Sequence, residues 1–331
     1  MHVNKRGGWQ FVMSEVEHFT ATVGDELAGQ RLDKILAQLF SDYSRARLQS
    51  WVSDGAVLVD GKQLRSKDKL RGGERIEIQV EREEEVDSQP EAIPLDIVYE
   101  DEALLVINKP VGLVVHPAAG NREGTMLNAL LHHAPELTLV PRAGIVHRID
   151  KETSGLLVVA RTLKSQKVLT EQIQRREFER EYQTVVNGVM TAGGTVDAAI
   201  GRHPAVRTRM AVVGNGKAAR THYRVAQRYR AHTHLSVKLE TGRTHQIRVH
   251  MAHIRHPIVG DPVYGGRLRI PKGCGEALNG VLRTFKRQAL HAAKLGLLHP
   301  ESGEMVHWQA PLPLDMTRLL QVLDEDLKQA E

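Results

Sequence analysis

Leu32, Ile35, Leu36, Leu39 and Phe40 recur at the three-and-four spacing of one helix face. Leu48, Trp51 and Val52 repeat that spacing, which predicts a second helix with Ser44 as its N-cap and Gly55 at its end. Val57 and Val59 then alternate with other positions up to Asp60-Gly61, a hairpin-turn signal, and Ile76, Ile78 and Val80 mark a later strand. Together these predict a small α/β module. From about residue 95 the pattern becomes strand-rich. LDIVY and ALLVINK flank Glu100-Asp101-Glu102 and predict a hairpin, and GLLVVAR, EYQTVVNGV, THYRVAQRY and THLSVKLE predict further strands. Helices are predicted over Leu163 to Arg175 and Thr244 to Ile254. Helices do not separate the strands regularly enough for a doubly wound parallel sheet, so the expected class is α+β with a mixed, largely antiparallel central sheet. The stretch 266 to 283 carries no usable motif and reads as a variable loop.

Between the two patterned regions, residues 81 to 102 hold ten acidic residues and one basic residue, Arg82, with Pro90 and Pro94. A charge run of this kind reads as a solvated linker. The expected organisation is an N-terminal tail (1–16), the α/β module (17–80), an acidic linker (81–94), a large second domain (95–325) and a C-terminal tail (326–331). Met13 opens a more ordinary start than Met1 does. The length of 331 residues allows two domains, and 41% hydrophobic with 26% charged residues fits a soluble globular protein. The single cysteine, Cys274, excludes an intrachain disulfide, and no apolar run approaches a membrane span. The first residues lack the apolar core of a signal peptide. A cytoplasmic protein without membrane contact is expected, and no self-association stripe argues against a monomer.

Charge changes the picture. Residues 201 to 260 carry twelve Lys and Arg against one acid, Glu240, and residues 31 to 75 carry ten against six. So lopsided a surface attracts phosphates, with an affinity that falls with salt. Aromatic residues make up only 4% of the chain, too few for a long base-stacking platform. In the first module Ser44, Arg45 and Arg47 sit at the start of the second predicted helix, a common arrangement for holding nucleic-acid phosphates. The run from RLDKIL to VLVDGK resembles the S4-like RNA-binding module, named after a protein of the ribosomal small subunit.

HRIDKETSG (147–155) lies between two apolar runs. A lone Asp there would serve a turn, bonding its own backbone, and Gly155 can take positive φ. Asp150, however, has His147 and Arg148 beside it, and LETGRTHQIRVHM offers Arg243, His245, Arg248 and His250. Arg248 can pair with Asp150 and fix its rotamer. NKPVGLVVHP adds Lys109 and a rigid turn. A carboxylate flanked by cations on a basic protein suits an electron-deficient reaction at a sugar of a nucleic acid.

HRIDKETSG, NKPVGLVVHP, LETGRTHQIRVHM, HPIVGDPVYGG and RQALHAAKLGLLHP, in this order and spacing, resemble the RluA family of RNA pseudouridine synthases, and with the S4-like module the resemblance covers about 17 to 325. Ile149 departs conservatively from the Leu common in the family. The resemblance implies a pseudouridine-synthase domain that isomerises uridine to pseudouridine with no cofactor and no metal. It implies Asp150 as the essential aspartate, attacking the sugar or removing a sugar proton, with Arg248 as its basic partner and Tyr182 as the aromatic against the flipped base. Ile247 falls on the apolar contact to the base and Arg148 on the arginine that fills the vacated space. His147 is expected to hold the loop or the RNA, and Lys109 and Arg243 are expected among the RNA-binding cations. The implied partner is large-subunit rRNA or the pre-ribosomal large subunit, at the helix 69 stem-loop, although relatives with the same motifs modify other rRNA or tRNA sites. Other classes remain. A metal hydrolase would need the four-residue histidine spacing of the helical zinc signature, whereas His245 and His250 are five apart with Arg248 between them. A glycosidase would need a carboxylate pair, and none emerges. A non-catalytic ribosome-assembly factor would share the basic surfaces but has no use for Asp150.

Overall fold

The computed structural model describes residues 16–40, 43, 45–81, 88–117, 121–206 and 208–329. The chain divides into two compact units, Met1–Asp87 and Ser88–Glu331. In the first, β1 (Val16–Thr22), α1 (Leu32–Leu39), α2 (Arg45–Ser53), β2 (Val57–Val59) and β3 (Arg75–Glu81) build an antiparallel sheet of order β1-β3-β2 with the two helices. The apolar positions of the helical pattern form its core: Leu32, Ile35, Leu36, Leu48, Trp51 and Val52 are buried with Val57, Val59, Ile76 and Ile78. Gly55 after α2 and Asp60-Gly61 after β2 all take positive φ, as the turn signals require. β1 lies outside the elements read from the hydrophobic pattern, although Phe19, Ala21 and Val23 alternate with Thr20 and Thr22 over a short span. Phe19 nevertheless stacks on Trp51 with ring centroids 6.2 Å apart. Ser44, the expected N-cap of α2, lies outside the described residues.

The second unit begins with the hairpin of β4 (Ile97–Glu100) and β5 (Leu104–Lys109), followed by α3 (Met126–His133), β6 (Ser154–Ala160) and α4 (Leu163–Arg175). Then come β7 (Glu179–Asn187), β8 (Gly194–Asp197), β9 (Ile200–Arg202), β10 (Met210–Val212), β11 (Arg220–Arg228), β12 (His232–Leu239) and α5 (Gln246–His253). The chain closes with α6 (Glu276–Thr284), β13 (Leu290–Leu298), β14 (Met305–Gln309) and α7 (Leu314–Lys328). Nine strands form one sheet in the order β4-β5-β6-β13-β7-β12-β11-β8, with β14 also paired to β13, while β9 and β10 form a separate ribbon. Only β6 and β13 run parallel, so the sheet is mixed and largely antiparallel. All seven residues of β6 are buried. Its alternate side chains feed two cores: Leu157 and Val159 pack with α3, and Leu156 and Val158 with Leu169 of α4 and Phe178. A continuous apolar run is the mark of a strand covered on both faces.

Two expectations need correction. The segment 266–283 is not simply a loop: α6 occupies Glu276–Thr284, buries Leu278 and Leu282, and packs on α7. Leu278, Val281, Leu282 and Phe285 do keep the three-and-four spacing of a helix face, but they follow a Gly- and Pro-containing stretch that reads as loop. The C-terminal tail does not begin at 326 either, since α7 continues to Lys328 and buried Asp326 accepts from Arg230 Nη1 at 3.1 Å and from the Gly275 N–H at 3.2 Å. Among the described residues no helix is long and apolar enough to cross a membrane.

Gly155 fixes where β6 meets β13. Its φ is 111°, and a Cβ there would stand 2.6 Å from the Ala292 backbone nitrogen, with the Ala292 carbonyl closer still. Both the backbone conformation and the space demand glycine. Gly155→Ala is expected to destabilise the protein by at least about 2 kcal/mol in denaturant unfolding, through strain and backbone displacement.

Candidate active site

The chain from His147 to Gly155 is held at almost every residue by the surrounding core. The Val158 N–H donates to His147 Nε2 at 3.0 Å, and the Thr153 N–H returns to the Asp150 carbonyl at 2.9 Å, closing a turn. The Lys151 carbonyl accepts from Lys109 Nζ at 3.0 Å, and the Glu152 carbonyl from Arg287 Nη1 at 3.3 Å. Gln288 Nε2 donates to Thr153 Oγ1 at 3.0 Å, and Ser154 Oγ bonds His291 Nδ1 at 2.9 Å. The loop is thus ordered by partners from β5, from β13 and from the segment leading into it, and Asp150 inherits a fixed position.

Arg248 completes that position. On α5 it is 5% exposed at the side chain and makes a bidentate pair with fully buried Asp261, Nε to Oδ2 at 2.7 Å and Nη2 to Oδ1 at 2.9 Å. Its remaining edge, Nη1, donates to Asp150 Oδ2 at 2.9 Å. Asp261 Oδ1 also accepts the N–H groups of Val263 and Tyr264. Burial alone would lower the Arg248 pKa, but the hydrogen bonds and charges of Asp261 and then Asp150 outweigh it and raise the pKa. Burial likewise works to raise Asp261, and the Arg248 bonds and charge overcome it and hold the carboxyl low. Two carboxylates share one guanidinium, so the group keeps a net negative charge, and Asp150 presents its Oδ1 without a hydrogen-bond donor among the described residues. His245 Nε2 faces that oxygen at 3.9 Å. Tyr264 Oη accepts the Met210 N–H at 3.0 Å and shares a hydrogen bond of 2.8 Å with His245 Nδ1. His245 itself sits at φ 56°, strained for a non-glycine residue, which turns its ring toward Asp150 and starts α5 two residues later than the pattern predicted.

Asp150, His245 and Arg248 line a cleft of about 490 Å³. Tyr182 of β7 and Ile247 of α5 are buried in its wall with Leu290. Burial raises the Tyr182 phenol, with the Arg180 charge acting against and Asp150 adding to the rise. Arg148 and Arg142 are exposed at the cleft, and Arg243 is half-buried with its Nε on the Ala218 carbonyl at 3.1 Å. A carboxylate beside an aromatic and aliphatic wall, under a rim of arginines, can accept a flat base with its sugar at the carboxylate and its phosphates outside. His147 lines the cleft as well, but its Nε2 is spent on the backbone, so it holds the loop. Burial and then the Arg180 charge push its imidazole down to about 3.

Lys109 does not belong with the RNA-binding cations. It is fully buried, and its Nζ donates to the carbonyls of Pro110 at 2.7 Å, Leu113 at 3.0 Å and Lys151 at 3.0 Å. Three acceptors exhaust an ammonium, and burial pushes it down to about 7 against the pull of Glu152 and Asp150. Arg45 is exposed at the start of α2, and Arg47 lies on the same helix, both in the first unit. The histidines diverge: His250 bonds Thr221 and the Ala198 carbonyl, and His256 the Asn187 carbonyl. Among the described residues no three metal-ligating side chains gather. Sequence reasoning missed Asp261, Tyr264 and the part His245 plays beside Asp150. Asp261 lies in the HPIVGDPVYGG motif, but an Asp between Gly and Pro reads first as a turn residue.

Comparison with known proteins identifies the family. Residues 103–253 match the family model for RNA pseudouridylate synthase, and residues 30–76 match the S4 domain. The chain is 58% identical over 318 residues, 96% of its length and 98% of the relative, to the Escherichia coli protein named ribosomal large subunit pseudouridine synthase D. It is 55% identical to the Pseudomonas aeruginosa protein of that name, over 95% of this chain and 98% of the relative. Among solved structures, human RNA pseudouridylate synthase domain containing 4 superposes with a TM-score of 0.54 at 26% identity, covering 69% of this chain and 92% of that one. The chain belongs to the RNA pseudouridine synthase family, with an S4 domain in front of the catalytic one. It is an enzyme of the isomerase class, converting uridine to pseudouridine in RNA.

Asp261→Asn leaves a buried guanidinium short of one charge and frees it to turn onto Asp150. The variant is expected to lose about 3 kcal/mol of stability in denaturant unfolding. Its pseudouridine formation rate should fall about a hundredfold through misplacement of Asp150. His147 gives a pH signature. Its folded pKa of about 3 lies below the unfolded value near 6.5, so its stabilising share is present above pH 6.5 and is lost as pH falls toward 3. Between pH 6.5 and 4 the wild type should lose stability more steeply than His147→Gln, by at most about 1.4 kcal/mol per pH unit. Unfolding curves of both proteins at several pH values check this.

Proposed function

We propose that the enzyme isomerises uridines of large-subunit rRNA, in the helix 69 stem-loop, with Asp150 as the essential carboxylate. The target rests on the end-to-end similarity to proteins named for the large ribosomal subunit, which spans the S4 domain and the catalytic domain together. The role of Asp150 rests on one observation: a carboxylate clamped by Arg248 through Oδ2 with Oδ1 open to the cleft. Oδ1 supplies the electron pair in either form of the first step, attack on the sugar carbon or removal of a sugar proton. The bond from C1′ to N1 breaks and the base turns; C5 then bonds to C1′, displacing Asp150 from the sugar in the first form or with the sugar proton handed back in the second, and C5 releases its proton while N1 takes one up.

The other side chains take their roles from where they stand. The target base leaves the stack to reach Asp150. Tyr182 and Ile247 pack on it, Arg148 at the exposed rim fills the space it leaves, and Arg243 takes a phosphate. His147 keeps the loop in place. In the S4 domain Ser44, Arg45 and Arg47 hold backbone phosphates and select the stem-loop by shape. The enzyme acts as a cytoplasmic monomer on free rRNA or on the assembling large subunit.

Asp150→Asn, nearly isosteric, tests the reading. Wild type and variant are incubated with large-subunit RNA lacking pseudouridine, the product is mapped by carbodiimide labelling and primer extension, and RNA binding is measured in parallel. The expected result is marking of uridines in helix 69 by the wild type, with normal binding and at least a thousandfold less marking by the variant, roughly the scale of a lost nucleophile or base. Marking by the variant at the wild-type rate overturns the role of Asp150, and wild-type marks confined to other loops overturn the target.

A further inference from the structure

Three arginines are buried among the described residues: Arg180, Arg248 and Arg287. Arg248 has Asp150 and Asp261, and Arg287 has Asp315 at 2.6 and 2.7 Å. Arg180, 9% exposed, has no hydrogen bond or carboxylate on its guanidinium, and its Nε is wholly enclosed without an acceptor. A buried cation left without a counter-ion is costly, and proteins keep one where a ligand supplies the anion.

Arg180 lies in the cleft wall. It is two residues before Tyr182 on β7, so both side chains leave the same face of the sheet. A Cβ on Gly242, which is exposed, would come within 2.9 Å of Arg180 Nη1, so the guanidinium reaches from the floor toward the mouth. The acid in the lining nearest in kind to a partner, Glu240, is already engaged by His222 at 2.6 Å and Arg220 at 3.3 Å. The other acid of the lining, Asp150, is held by Arg248 and makes no ion pair with Arg180, and Arg142, Arg148 and Arg176 are cationic. The missing anion therefore comes with the substrate. RNA offers two: a backbone phosphate beside the target nucleotide, and the uracil itself. When C1′–N1 breaks, the electron pair stays with N1 and spreads onto O2 and O4, so the base is an anion until C5 bonds to the sugar. Both present oxygens to which a planar guanidinium fork is matched.

We propose that Arg180 is the anion-binding residue of the cleft, holding an anionic oxygen of the target nucleotide. This rests on the reading that the cleft is the site of isomerisation. The test compares Arg180→Met and Arg180→Lys with wild type in the full chain, on an RNA that wild type modifies. Melting temperature, RNA affinity as a function of salt, and single-turnover rate at saturating RNA are measured. Arg180→Met should melt at or above the wild-type temperature, because it removes an unpaired buried charge. If a phosphate is held, its affinity falls about tenfold and the salt slope by roughly one, with the bound rate unchanged. If the detached uracil is held, the bound rate falls by about a hundredfold with affinity unchanged. Arg180→Lys, which keeps the charge, recovers most of either loss. Wild-type rate and affinity in Arg180→Met overturn the proposal. So does a melting temperature well below wild type in both variants with activity lost in proportion, since that marks a structural arginine. Asp150→Asn is assayed beside them: if it still marks RNA, the reading of the cleft fails, whereas a loss of affinity or rate in Arg180→Met stands on its own comparison with wild type.

Discussion

The guanidinium of Arg248 is the point on which the site turns. A cation so deeply buried cannot stand alone, and a single carboxylate gripping it with both oxygens would cancel its charge and leave nothing for chemistry. Dividing its five donors between Asp261 and Asp150 solves both problems. Asp261, buried and held by backbone N–H groups, takes the bidentate edge, and Asp150 receives one bond at 2.9 Å. Asp150, the carboxylate we propose as reactive, is then positioned by a cation already neutralised from behind. The role proposed for Asp150 needs an aligned oxygen whose charge is still available, and this geometry fits that need.

The rest of the catalytic unit follows from the need to hold that trio. α5 enters the core with Gln246, Arg248 and His250 all buried, and the Gln246 and His250 side chains find acceptors or donors in β11, in the Ala198 carbonyl and in the loop before the helix. Satisfied polar groups of this kind fix a helix more narrowly than apolar packing does. On the facing side, the parallel contact of β6 and β13 carries the Asp150 loop out of the sheet at one defined point. The long apolar β6, Gly155 and the carbonyl-capping Lys109 are the scaffold terms of the same arrangement.

Much of this was legible in the sequence, for identifiable reasons. The apolar periods of α1, α4 and β6 reflect one-sided or two-sided burial directly, and those elements lie where the pattern put them. The family motifs led to Asp150, Tyr182, Ile247 and Arg248, which the fold brings to one cleft from β6's approach, β7 and α5. Lys109 was misread because a lysine's charge is visible in sequence while its burial is not, and here burial decides. Asp261 was passed over because its turn role is real and hides the second role. α6 keeps a helical spacing at Leu278, Val281, Leu282 and Phe285, but it is one short helix behind a Gly- and Pro-containing stretch that reads as loop, and the idleness of Arg180 is a statement about missing neighbours that no string of residues can make.

The clamping of residues 147 to 155 also allots motion between enzyme and substrate. A loop whose backbone and side chains are tied to β5, β13 and α5 can open only by breaking into the core of the catalytic unit, so its order persists as long as that core does. Extracting a base from structured RNA still requires something to move. The travelling parts are then the nucleotide and the exposed arginine side chains at the rim, while the floor beneath them stays still. The enzyme works as a fixed mould into which the RNA must deform, so differences in how easily RNA loops deform become differences in how fast they are modified.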